Sequence, residues 1–228
     1  MKYIVFGLGY FGAELAVNLT RQGHEVIGID NRMERVNDLK DSIAVAMEMD
    51  STNPNAIKTL PLDDVDAAVV AIGEDVGSSI LTLSILRNLG VKRIIGRATS
   101  PLHHNILKQI GIGEIVQPEE DSALAIATKL QIRNATKFME LDEENAIAEL
   151  VVPDKYVGHT LESINLMYRF ELRVIAMRLA PERAGLMGSI LPGDYRTDYQ
   201  PDPNRPIKPA DYLVVAGRIR DIKRFIES

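Results

Sequence analysis

Gly7, Gly9 and Gly12 stand in the spacing GxGxxG, as Gly7-Leu8-Gly9-Tyr10-Phe11-Gly12, behind an apolar run and ahead of a helical pattern. In that setting the first glycine makes a tight turn and the second lets the backbone approach a phosphate. The third lets the helix pack closely on the strand. The helix start adds free N–H groups and a positive dipole end for an anion. The spacing alone is common; its place between strand and helix makes it informative. The next strand-like run closes on Asp30, followed by Asn31 and Arg32. A carboxylate there can accept hydrogen bonds from ribose hydroxyls, or serve as a helix N-cap ahead of Arg32. It opposes a ribose 2′-phosphate by like charge, whereas Arg32 keeps that form open.

Further chemistry-bearing residues follow later strand-like runs. Asp50-Ser51-Thr52 ends the third, Ala71-Ile72-Gly73-Glu74 the fourth, Arg97 (then Ala98 and Thr99) the fifth, and Glu119 comes after Gln117-Pro118. Ligands of open parallel sheets sit beyond the carboxyl ends of the strands, so these loops should flank one base, sugar and phosphate site. Each taken singly is an ordinary turn. Arg97 can reach a phosphate. Glu119 suits either a helix-start charge or a site for Mg2+ or Ca2+ shared with phosphates. His24, His103, His104 and His159 lack metal-ligand spacing. Cysteine is absent, and no serine lies in a GxSxG elbow.

These residues need a scaffold of alternating strands and helices, and the pattern supplies one. Strands are expected at residues 3–6, 26–29, 44–47, 67–72, 93–95 and 114–116. Helices are expected at 10–22, 32–40, 54–60, 75–89, 101–110 and 119–133, with Gly23, Gly90 and Gly111 at helix ends. This is an α/β, Rossmann-type doubly wound parallel sheet. The 75–89 helix carries Val76, Ile80, Leu83 and Leu86 on one side and Leu81, Ile85 and Leu89 on another. Two apolar sides predict cover from the sheet and from a second subunit, or from two sides within one chain. The 119–133 helix reads similarly, so a homo-oligomer is expected.

The domain plan places the nucleotide-binding domain at 1–135, a polar linker at 136–145 and a smaller α+β domain at 146–228. The second domain reads as strand (146–152), short helix (161–166), strand (172–179), strand (212–216) and helix (219–227). Between them, 181–209 holds six of the eleven prolines and is expected to be a loop insertion. Tyr195 and Tyr199 could dock it on a surface. A chain of 228 residues with 46% hydrophobic content can bury a core, and its net charge of -6 argues against nucleic-acid binding. The N-terminal apolar stretch is too short for a signal peptide, and no window suits a membrane helix. Any membrane role should run through a partner.

Over nearly its full length the sequence resembles the RCK-type regulators of K+ uptake, the TrkA/KtrA family. The motifs are GLGYFG (7–12), GHEVIGID (23–30), VVAIG (69–73), QIGIGEIVQPEED (109–121), DYLVVAG (211–217) and DIKRFIE (221–227). The resemblance implies an RCK domain followed by an RCK_C domain. It further implies an octameric cytosolic ring docked on a TrkH/KtrB-like membrane K+ transporter subunit, peripheral to the inner face of the cell membrane. ATP or ADP is the implied ligand, with NAD(H) or AMP as others. Carried over by position, the binding residues are Gly7, Leu8, Gly9, Tyr10, Phe11, Gly12, Asp30, Asn31, Arg32, Asp50, Ser51, Ile72, Gly73, Glu74, Arg97, Ala98, Thr99 and Glu119. Tyr10 stands where KtrA-like members carry an arginine for the terminal phosphate of ATP, and tyrosine lacks that charge. Met167 similarly stands where some members use a basic residue to hold cyclic di-AMP. A small NAD-dependent oxidoreductase would use the same loop and Asp30, but the C-terminal part offers only His159 as an acid or base.

Overall fold

The computed structural model describes residues 1–131, 135–181 and 195–228. The chain divides into two compact units, Met1–Asp121 and Ser122–Ser228. In the first, six strands run in the spatial order β3-β2-β1-β4-β5-β6, all parallel: β1 (Lys2–Phe6), β2 (Glu25–Asp30), β3 (Val45–Glu48), β4 (Ala67–Val70), β5 (Ile94–Arg97) and β6 (Glu114–Val116). The order reverses at β1, which has β2 on one side and β4 on the other. This is the switch point at which an open α/β sheet forms its crevice.

The β1 residues Ile4, Val5 and Phe6 are fully buried, as are Ala68 and Val70 of β4. A central parallel strand with helices on both faces must be apolar on both faces, which is why these runs do not alternate. Two apolar clusters lie in this unit, one containing Phe6, Ile29, Leu83, Leu86 and Leu107, the other Val5, Leu8, Ala16, Val36 and Ala71. Helices α1 (Tyr10–Arg21), α2 (Met33–Leu39), α3 (Pro54–Ile57), α4 (Val76–Asn88) and α5 (Pro101–Gln109) alternate with the strands. Gly23, Gly90 and Gly111 have φ of 85°, 77° and 80°, the left-handed turn that ends a helix. Helix α6 (Pro118–Gln131) begins in the first unit and continues past its boundary.

The expected division of α4 is met only in part: Ile85 and Leu89, expected on the second side, pack against the same core cluster as Leu83 and Leu86. Leu83 and Leu86 are fully buried within the unit, whereas Leu81 is 54% exposed. Leu83 therefore belongs to the core, and Leu81 marks the outward apolar side. Leu124, Ile126 and Leu130 on α6 are also exposed.

The second unit is built on a five-stranded antiparallel sheet in the order β10-β9-β11-β8-β7: β7 (Ala135–Glu140), β8 (Asn145–Val151), β9 (Arg173–Leu179), β10 (Arg196–Asp198) and β11 (Tyr212–Arg218). Helices α7 (Leu161–Ile164), α8 (Leu166–Phe170) and α9 (Ile219–Glu227) complete it. Phe225 of α9 is fully buried, stacked on Tyr156 and edge-on to Phe170.

Two expectations are corrected here. Residues 136–145 are not a linker: Ala135–Glu140 is an edge strand paired with β8, and Asp142 ties the turn by accepting from the N–H groups of Glu144 and Asn145. The alternation of β7 is too polar to read as a strand because only its Ala135 is buried. The proline-rich 181–209 stretch is also not wholly loop. Arg196–Asp198 pairs with Met177–Leu179 at the sheet edge, where proline-flanked strands are tolerated. Tyr195 packs edge-on to Tyr212 and beneath the Arg178 guanidinium, whereas Tyr199 is exposed. The middle of that stretch, 182–194, lies outside the described residues. Among the described residues no helix is long and apolar enough to cross a membrane.

Candidate nucleotide site

The first unit gathers the glycine loop, the end of β2, the loop after β4, the end of β5 and the start of α6 at the carboxyl edge of its sheet. Gly7 turns the chain with φ of 89°, and its N–H donates to the Ile29 carbonyl at 2.7 Å. A Cβ on Gly7 would lie 2.9 Å from the Ile72 backbone nitrogen, and one on Gly12 would lie 1.9 Å from the Gly7 carbonyl oxygen. Only glycine lets α1 start this close to β1, as the spacing predicts. Helix α1 has no side-chain cap at its N-terminus, and Tyr10 there is 89% exposed. Its first N–H groups are therefore directed at whatever lies over the loop.

Asp30 is 5% exposed and does more than the sequence suggests. Its Oδ2 accepts the Leu8 N–H at 2.7 Å, and its Oδ1 accepts the Arg32 N–H at 3.0 Å. It does not cap α2; Arg32 occupies the N-cap position and makes no side-chain cap bond. Asp30 instead ties the glycine loop to the β2 end and fixes the loop backbone. Asn31 beside it is exposed.

Two arginine-carboxylate arrangements flank the loop. On the β2 side, Arg32 Nη2 donates to Glu74 Oε2 at 2.8 Å and Arg35 Nη2 to Glu74 Oε1 at 2.6 Å. The Arg35 pair holds the Glu74 carboxyl below the usual carboxylate range. On the β5 side, Arg97 donates to the Ala71 carbonyl at 3.3 Å, pairs with Glu119 and lies 5.4 Å over the Phe11 ring. Burial pushes the Glu119 carboxyl upward, but a backbone N–H and Arg97 outweigh it and leave it lowered. Glu119 is thus both a helix-start charge and the partner of Arg97. The Arg97 Nε is buried with no hydrogen-bond partner.

The remaining expected residues divide by role. Ile72 and Gly73 abut the loop and the Arg97 guanidinium, respectively. The Asp50 carboxylate accepts from the N–H and hydroxyl of Thr52, which lower its pKa, so it shapes its own turn. Ser51 is largely buried and receives the Thr82 hydroxyl of α4 on both its own hydroxyl and its carbonyl, anchoring the loop after β3. Ala98 is buried, and Thr99 contacts the buried His103 ring at 3.4 Å. Burial lowers the His103 pKa. Among the described residues no group of three or more histidine or acidic side chains is placed to hold a metal. Arg35 was not singled out from the sequence. Its i, i+3 relation to Arg32, the N-cap residue of α2, is the signal that both face the same way.

The TrkA-N domain model matches residues 3–118. Over 224 residues the chain is 32% identical to Ktr system potassium uptake protein C of Bacillus subtilis (strain 168), covering 98% of this chain and 95% of the relative. The chain belongs to the TrkA-N/Ktr family. Another relative of this Ktr-family chain is Ktr system potassium uptake protein A of the same organism, 30% identical with the same coverage. In solved structures the GsuK RCK domain superposes at a TM-score of 0.62 and 17% identity, across 100% of this chain and 48% of that one. The NAD(P)-binding domain of an exopolyphosphatase-related protein from Archaeoglobus fulgidus aligns at a TM-score of 0.52 and 26% identity, over 57% of the Ktr-family chain and 96% of that domain. The RCK likeness establishes the shared fold across both units.

Proposed function

We propose that this Ktr-family chain is a nucleotide-sensing regulatory subunit of a membrane K+ transporter, acting at the cytoplasmic face through a TrkH/KtrB-like partner. One observation carries the ligand: Asp30 locks an uncapped glycine loop at the sheet's switch point, with arginines on both sides of it. Free N–H groups and guanidinium groups around one loop suit a phosphate-bearing ligand. An adenine nucleotide is the reading, ADP or ATP first and AMP or NAD(H) next. The exposed apolar sides of α4 and α6 support assembly into a homo-oligomer, with the octameric ring as its form. Residues 50 and 51 and 72–74 complete the walls around the base and sugar, and Arg97, followed by Ala98 and Thr99, stands at the phosphate end.

Glu119 is the residue for a cation. Its carboxylate is charged at neutral pH and sits with Arg97 where phosphates would come. A Mg2+ or Ca2+ there would take Glu119 and phosphate oxygens together, relieving the repulsion between them.

Calorimetric titration of the full chain with ADP, with and without Mg2+, tests both. Binding is expected, tightened by the cation roughly 5- to 150-fold, with the gain lost in Glu119→Gln. ADP binding indifferent to Mg2+ in both proteins would leave Glu119 only its helix-start and Arg97 roles. Hydride transfer is not expected: NADH with a panel of carbonyl compounds should keep its absorbance. Sustained turnover would favour the oxidoreductase reading.

A further inference from the structure

The site carries a second guanidinium that the glycine motif does not call for. Arg35 lies on α2, and its Nη1 is 3.3 Å from where a Cβ on Gly9 would stand. It therefore covers the glycine at which backbone and phosphate approach each other in this kind of loop. Its side chain is 25% exposed, donates to Glu74 at 2.6 Å and stands 3.5 Å from Asp30. Arg32 holds the other Glu74 oxygen. Because β2 and β4 flank β1, the arginines after β2 and the glutamate after β4 form a strap across the mouth of the β1 loop.

We propose that Arg35 is a phosphate-reading, specificity-determining residue: it binds the diphosphate of an adenine nucleotide over Gly9, and Glu74 competes with that diphosphate for it. This deepens the nucleotide reading above and rests on it. Asp30 does not account for Arg35's position, since its oxygens already take the Leu8 and Arg32 N–H groups at shorter distances. The Glu74 carboxylate is 70% exposed, and an ion pair so open to water is weak. A planar guanidinium accepts a carboxylate or a phosphate through the same fork. A diphosphate over the loop would also face the uncapped α1 N–H groups, which Glu74 does not use. Exchange of Glu74 for diphosphate is thus favourable. A nucleoside without phosphate cannot make the exchange, so Arg35 selects by phosphate content. Tyr10 at the helix start supplies no cation, which leaves that task on the β2 side to the arginines of α2.

The test uses the full chain, titrated with ADP by calorimetry and with adenosine by competition, for wild type, Arg35→Gln, Arg35→Lys and Glu74→Gln. Thermal melting without ligand checks that each variant is folded. Arg35→Gln is expected to weaken ADP roughly 10- to 100-fold and to leave adenosine within about twofold. Arg35→Lys, which keeps the charge but loses the fork, should fall between. Glu74→Gln should tighten ADP about two- to fivefold relative to adenosine. Unchanged ADP affinity in Arg35→Gln overturns the assignment. So does a Glu74→Gln variant that loses ADP as Arg35→Gln does, because Glu74 would then position the arginine rather than compete for it. A wild-type chain that binds neither ligand overturns the nucleotide reading itself.

Discussion

At the scale of single residues, Asp30 shows how one side chain proposed for a ligand is also tied into the fold. A carboxylate at the end of β2 is what the sequence spacing requests for a ribose, and the structure gives the same carboxylate two backbone N–H groups to hold. Removing it leaves the buried Leu8 N–H without its acceptor, an expense of about 1–3 kcal/mol. Asp30→Ala should therefore lower the urea midpoint of the first unit even without nucleotide, and weaken ADP binding as well. Asp30→Asn retains one side-chain oxygen and should recover part of the stability. Equal midpoints for wild type and Asp30→Ala would show that the loop does not depend on this tie. Legibility at this scale followed residue type. Glycines and a strand-end aspartate carry a backbone logic that spacing reveals, so residues 7–12 and 30 could be read directly. Arg35 could not: a single arginine on a helix is usually a solvated charge, and only the fold brings it over Gly9. Ser51 likewise reads as a ligand-loop residue, yet its bonds go to Thr82, a partner far away in sequence.

At the scale of elements, the parallel unit was legible because its central strands are apolar on both faces and α1, α4 and α5 are each followed by a glycine that takes positive φ. Edge strands were not. β7 and β10 each have a neighbour on one side only and little to bury, so hydrophobic pattern says almost nothing about them. The same limit applies to α4, where pattern shows two apolar sides without showing which one faces the sheet. The structure assigns Leu83 inward and Leu81 outward. Two charge substitutions on this helix should then part ways. Leu83→Glu puts a charge into the core and should leave the chain largely unfolded, since an unpaired buried charge exceeds the few kcal/mol of a typical stability margin. Leu81→Glu should change stability of the isolated subunit by about 0.5 kcal/mol or less while reducing the mass seen by light scattering. Ile126→Glu on α6 should act like Leu81→Glu. A wild-type chain that scatters as a monomer at every concentration would remove the assembly these faces were read to serve.

At the scale of the whole chain, a sensor must carry an event at one unit into another, and α6 is the element with a foot in each. It starts at Pro118, with Glu119 bonded to Arg97 beside the glycine loop, and runs to Gln131, beyond the end of the first unit at Asp121. Charge is divided along the same line. Residues 1–121 hold 11 basic and 17 acidic side chains, a balance of -6, while residues 122–228 hold 15 of each. An anionic ligand therefore enters the acidic unit against its net charge and must be held by local cations, Arg97 among them. If phosphate takes Arg97 from Glu119, or a cation joins them, the first turn of α6 changes its electrostatic partner. A two-state response of the helix to that change is the physical requirement for coupling. Hydrogen exchange on the full chain measures it. Saturating ADP should slow amide exchange in the loops at 7–12 and 30–35, and should also change it along 122–131, where exchange reports local opening of the helix. Arg97→Gln should remove the change along 122–131 while a weaker effect at 7–12 persists at higher ADP. If ADP protects the loops and leaves every amide of 122–131 as it was, nucleotide binding ends in the first unit, and α6 is a covalent connection rather than the route by which the ligand is sensed.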